Sequence, residues 1–206
     1  MANARLTIPL YFSLLASALA VSASSSLTGC GGDSSGGSGG SSSTTSASSS
    51  ASSGGACGLG ADQCFDYSCF KGDAPAVSFK ADVLPILRTS CGLSASCHGN
   101  EAGPGAQHYL GPKNSDPAPS AEQIQKIFTQ SVGQKTVVES GMLNITPSDP
   151  AHSFFMYKLD GLACATLKCA PTSSCGALMP LGNTEPMDAS KRDILRRWIA
   201  QGAKND

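Results

Sequence analysis

Cys97 stands directly before His98, and five residues separate it from the preceding Cys91. A thiol next to an imidazole is the second half of the pattern that attaches haem c: the sulfur forms a thioether to the porphyrin edge and the adjacent ring reaches the iron. Far downstream, Leu178-Met179-Pro180 places a soft thioether in a Pro-bounded loop. Such a sulfur favours ferrous iron and raises the potential. The residues thus predict Cys91 and Cys97 as attachment points and His98 and Met179 as iron ligands. The usual motif has two residues between its cysteines, so five demand a looped segment. Other assignments stay open at this point. Cys91 could instead pair with Cys175, His98 could be a surface residue of a Gly-rich loop, and Met179 could fill the core. A zinc site from Cys91, Cys97, His98 and His108 matches no common finger or ribbon spacing. His108 and His152 are expected to face solvent. No Ser-His-Asp arrangement, phosphate loop or paired-carboxylate pattern is legible, so turnover of a substrate is not expected.

These residues need helices to hold them. Phe79, Val83, Ile86 and Leu87 recur at helical spacing and predict a first helix over 78–90, with Pro85 delaying its regular part to about Asp82. Ser120 with Gln123 is a capping-box pattern opening a helix over 120–130, buried through Ile124, Ile127 and Phe128. A short helix over 153–159 follows the Asp149-Pro150 turn and ends at Gly161. The last helix carries Ile194, Leu195, Trp198 and Ile199 on one face, with Ser190 as its expected cap and Gly202 as its stop. Its charges, Lys191, Arg192, Arg196 and Arg197 among them, are expected on a solvated face that could also dock an acidic redox partner. Lys135–Val138 is the only strand candidate and is too short to build on. The expected fold is mostly α with long loops.

Composition narrows the class of protein. Fourteen Lys and Arg balance fifteen Asp and Glu, and no basic stripe runs along the chain, which argues against nucleic acid as a partner. Residues 57–206 suffice for one small domain, with 57–77 a Cys-rich segment expected to pack as a cap on 78–206. Of nine cysteines, setting aside Cys30 leaves an even eight, a number that suggests disulfides in an oxidising compartment. Eight cysteines allow on the order of a hundred pairings, so connectivity is not legible, although Cys164 and Cys169 are most simply structural partners of the Cys57–Cys69 group.

The N-terminus reads as an export signal. Arg5 precedes an apolar stretch from Leu6 to Val21 that is too short and too rich in Ala and Ser for a comfortable membrane span. Leu27-Thr28-Gly29-Cys30 resembles the lipobox of bacterial lipoproteins, which implies that 1–29 is removed and Cys30 becomes the lipidated first residue. Residues 31–56 are almost wholly Gly, Ser, Thr and Ala. Such a tether cannot bury a core and has a root-mean-square reach of about 25–30 Å.

Several blocks of the chain, in order, resemble the monohaem cytochrome c-like domains of bacterial envelope proteins. They are Phe79-Lys80-Ala81-Asp82-Val83-Leu84-Pro85-Ile86-Leu87, Ser96-Cys97-His98-Gly99, Pro147-Ser148-Asp149-Pro150 with Ser153, Lys158-Leu159-Asp160-Gly161, Met179-Pro180, and the terminal Trp198-Ile199-Ala200-Gln201-Gly202-Ala203. The resemblance implies a small cytochrome c-like helical domain whose first and last helices pack together, with His98 as proximal and Met179 as distal ligand of one haem c. It further implies a carrier of single electrons, anchored to a membrane through its N-terminal lipid and serving an unidentified redox partner protein in the cell envelope. The alternative is a haem-less, disulfide-stapled relative acting as a structural or binding lipoprotein.

Overall fold

The computed structural model describes residues 57–60, 64–101, 108–136, 138, 141–169 and 174–206. The expected signal peptide, the expected lipidation site at Cys30 and the expected tether lie outside the described residues. The described chain is mostly α: α1 (Leu84–Ser90), α2 (Ala121–Ser131), α3 (Phe154–Asp160) and α4 (Ala189–Ala200), with a π turn over Phe79–Val83 leading into α1 and a 3-10 turn over Pro150–His152 before α3. Among the described residues, β pairing is confined to isolated bridges, one of them between Lys135 and Leu143, so the strand candidate stays a fragment. No helix of the described residues is long and apolar enough to cross a membrane.

Local chemistry explains where each helix begins. Pro85 has no N–H to offer and occupies the opening turn of α1. The turn before it winds wide instead, with Val83 donating to the Ser78 carbonyl (3.3 Å) and Leu84 to that of Phe79. The capping box of α2 forms in both directions: Gln123 N–H donates to Ser120 Oγ (3.3 Å) and Ser120 N–H to Gln123 Oε1 (3.0 Å). Helix α4 corrects the sequence reading, because its cap is Asp188 rather than Ser190. The Asp188 carboxylate accepts from the amides of Ser190 and Lys191, and its charge also suits the positive end of the helix.

The two ends of the described domain meet in the core. Phe79 lies 4.7 Å from Phe128 and 5.6 Å from Trp198 between ring centroids, and Phe128 to Trp198 is 6.0 Å. Each such pair contributes about 0.5–1.5 kcal/mol beyond the area it buries. Phe79 N–H donates to Asp206 and Val77 N–H to Gln201, so the chain end is tied to the segment that precedes α1.

The Cys-rich segment is bound to the domain covalently. Cys57 pairs with Cys69, while Cys64 reaches across to Cys164. Its rings Phe65, Tyr67 and Phe70 pack edge-on against one another, and the Arg196 guanidinium lies 3.5 Å from the Phe65 ring centre. Arg196 is therefore buried beneath this segment and paired with the buried Asp160, with Arg192 beside it. This corrects the expectation of a solvated cationic face on α4 at Arg196: the segment covers that side of the helix, and a buried guanidinium needs the carboxylate.

Candidate functional site

The loop between Cys91 and His98 is built by its backbone. The Gly92 amide donates to Leu87 and the Cys97 amide to Ser94, so the spacer turns back on the end of α1. His98 N–H then donates to the Cys91 carbonyl at 3.0 Å, which brings the second cysteine's neighbourhood beside the first. The looped segment that five intervening residues require is formed in this way. Gly99 is needed for the closure, since a Cβ there would stand 2.8 Å from the Gly92 carbonyl oxygen and 3.0 Å from that of Ser94.

His98 is fixed on three sides. Besides its amide bond, its carbonyl accepts from Leu110 N–H (2.9 Å), and its Nδ1 lies 2.7 Å from the His108 carbonyl oxygen. A carbonyl can only accept, so Nδ1 carries the proton and, in the neutral ring, Nε2 keeps its lone pair. Burial holds the imidazole below its ordinary value and outweighs the His108 carbonyl, which favours the charged form. The result is an oriented imidazole with Nε2 as its lone-pair nitrogen, an arrangement that suits a metal ligand.

Cys91, Cys97, His98 and Met179 all line one cavity of about 230 Å³. Leu110 and, from α3, Phe154, Phe155 and Leu159 make much of its wall apolar. Met179 is half-buried, packs against the hydrophobic core and reaches the cavity from the loop that precedes α4. Core packing and a place on the cavity wall therefore coexist at this residue.

The sulfurs differ in state. Cys91 is a free, buried thiol, and burial pushes it up to about 12, so it is neutral. The alternative pairing of Cys91 with Cys175 does not occur, because Cys175 is bonded to Cys169, six residues away. Cys97 is disulfide-bonded. Cys164 joins the Cys-rich segment as expected, whereas Cys169 does not.

Two cavity residues were missed by sequence reasoning. His108, expected to face solvent, is half-buried on the cavity wall, and burial lowers its imidazole too. The following Tyr109 and Leu110 are both buried, which is the signal that the loop turns inward here. Lys158 is the other, bringing an ammonium group to a largely apolar wall. His152 does face solvent, held by Asp149 at 2.8 Å. Among the described residues, no three His, Cys, Asp or Glu side chains assemble into a metal-holding group, so the zinc alternative gains no support.

Comparison with protein-family models, with curated proteins and with solved structures finds no match for this chain.

Proposed function

We propose that this chain is a lipid-anchored carrier of single electrons in the bacterial cell envelope and binds one haem in the cavity at His98. The observation that carries this reading is that Met179, distant in sequence, lines the same largely apolar cavity as the Cys91, Cys97 and His98 segment. The donor set fits the group. A neutral imidazole whose Nε2 keeps its lone pair and a soft thioether are a pair of ligands that haem iron accepts, and the Cys91 thiol lines the same cavity for covalent attachment. Haem supplies reversible one-electron chemistry at iron when bound. The chain's own contributions are to present Nε2 of His98 in one tautomer, to offer the Met179 sulfur, and to exclude water through Phe154, Phe155 and Leu159. Anchorage to the membrane through Cys30 belongs to the same proposal and rests on the lipobox-like sequence. Like a thioether at Cys97, it requires the Cys97 disulfide to be open, because the other cysteines are paired among themselves or free.

Two observations favour a second reading, a haem-less stapled domain with a structural or binding role. Cys97 is disulfide-bonded, whereas a thioether needs it as a thiol. The cavity, at about 230 Å³, is also below the range of about 300–1,000 Å³ typical of small-molecule clefts, so a macrocycle requires its rim to part. The deciding experiment is the visible spectrum of protein purified from a host that matures c-type cytochromes. A Soret band that survives acid-acetone extraction supports covalent haem, and one lost on extraction supports haem held by His98 and Met179 alone. No Soret band leaves the second reading.

A further inference from the structure

Lys158 is an anomaly on a wall formed by Leu110, Phe154, Phe155 and Leu159. An ammonium drawn out of water loses hydration, and burial lowers its proton affinity, so an apolar wall has a reason to avoid one. Its bonds show what it holds. Nζ donates to the carbonyl of Cys175 at 3.0 Å and to that of Ala177, while the Lys158 backbone carbonyl accepts from the amide of Met179 at 2.7 Å. One residue of α3 thus grips the loop at three places, ending on Met179 itself.

The surroundings fit this grip. Gly176 lies between the two carbonyls with φ of +77°, a conformation L side chains rarely adopt, and a Cβ there would stand 3.0 Å from Nζ. The start of the loop is held by the Cys169–Cys175 bond. The anchor is firm as well, because Asp160, two residues along α3, is bound by both Arg192 and Arg196 of α4.

We propose that Lys158 is the positioning residue of the Met179 loop: its ammonium closes the Cys175–Ala177 turn onto α3 so that the Met179 sulfur is presented to the cavity in one place. The clamp stands without any ligand. Its purpose, to present an iron ligand, rests on the haem reading above.

The test separates the two. In the full haem-free chain, amide hydrogen exchange is compared for wild type, Lys158→Met and Lys158→Arg. Lys158→Met keeps the backbone carbonyl and most of the side-chain bulk but removes the donors. Exchange at the Met179 amide should accelerate by about tenfold or more, since hydrogen bonds from a charged donor are among the stronger ones, while the Leu195 and Trp198 amides in α4 keep their wild-type rates. Lys158→Arg, which still carries donors, should recover much of the protection. An unchanged Met179 amide in Lys158→Met overturns the proposal. So does acceleration of the α4 amides in step with it, since Lys158 would then support the whole fold rather than the loop. In protein loaded with haem, the thioether-to-iron absorption should weaken in Lys158→Met and return in Lys158→Arg. If wild type takes up no haem, the haem reading fails and the exchange result still decides the clamp.

Discussion

The carboxylate of Asp160 is held by Arg196 through a single guanidinium nitrogen, whose Nη2 donates to Oδ1 at 2.8 Å and Oδ2 at 2.9 Å with both residues almost fully buried. Arg192 adds a third bond at 2.6 Å, and the Phe65 ring covers the guanidinium. This pair joins α3, α4 and the Cys-rich segment. Asp160→Ala leaves Arg196 buried without a counter-charge and should cost about 3–5 kcal/mol in chemical denaturation. The double variant Asp160→Leu with Arg196→Met should recover most of that loss, because it removes the desolvation of both charges. Equal destabilisation of the single and double variants would show that packing rather than charge sets the cost.

The Cys64–Cys164 bond closes a loop across a sequence separation of 100 residues. Chain-entropy arguments make such a long loop more stabilising than a short one, at about 4–5 kcal/mol. Cys64→Ala with Cys164→Ala should therefore lower stability by more than removal of the Cys169–Cys175 bond, whose separation is 6. Thermal unfolding of the two double variants side by side measures the order.

Burial depresses the proton affinity of both His98 and His108 below the ordinary imidazole value of 6.5. The unfolded chain then binds more protons than the folded one below that pH, so stability rises with pH through this window. Their contribution is fully present above 6.5 and is lost as the pH falls toward the folded values. Each histidine can add a slope of up to about 1.4 kcal/mol per pH unit. His108→Gln keeps the His98–carbonyl bond, which is made by backbone, and should flatten the stability profile on the acid side of 6.5. An unaltered profile would remove His108 from the account.

If His98 and Met179 hold iron together, Met179→Ala should keep covalent haem but lower the reduction potential, since water or a nitrogen donor stabilises ferric iron relative to a thioether. Cys97→Ala should abolish most covalent attachment, as its sulfur neighbours the proximal ligand. Potentiometry on the first variant and acid-acetone extraction of the second test the two roles separately.

Cys30→Ser should leave the protein soluble in the periplasm or uncleaved. Fractionation of cells expressing this variant checks the anchor, and a cleaved variant that still partitions wholly with membranes would rule it out.

The elements were legible in the sequence because their causes are local. Ser120 and Gln123 meet within one turn, so their capping box could be named in advance, and Pro85 announced an irregular start to α1 because its missing N–H acts on its own turn. Cys97-His98 and Met179 were singled out by residue type and order alone. Their meeting on one cavity was not, since it depends on how the loop from Gly92 to Gly99, α3 and the Met179 loop pack. Tertiary structure also decided which charges are buried. Arg196 has the same helical spacing as any solvated cation, and only the arrival of Phe65 and Asp160 from elsewhere in the chain turns it inward. The disulfide partners belong to the same class: a cysteine's neighbours in sequence carry no record of which distant sulfur the fold will bring within bonding distance, so Cys64 with Cys164, and a free Cys91, follow from packing alone.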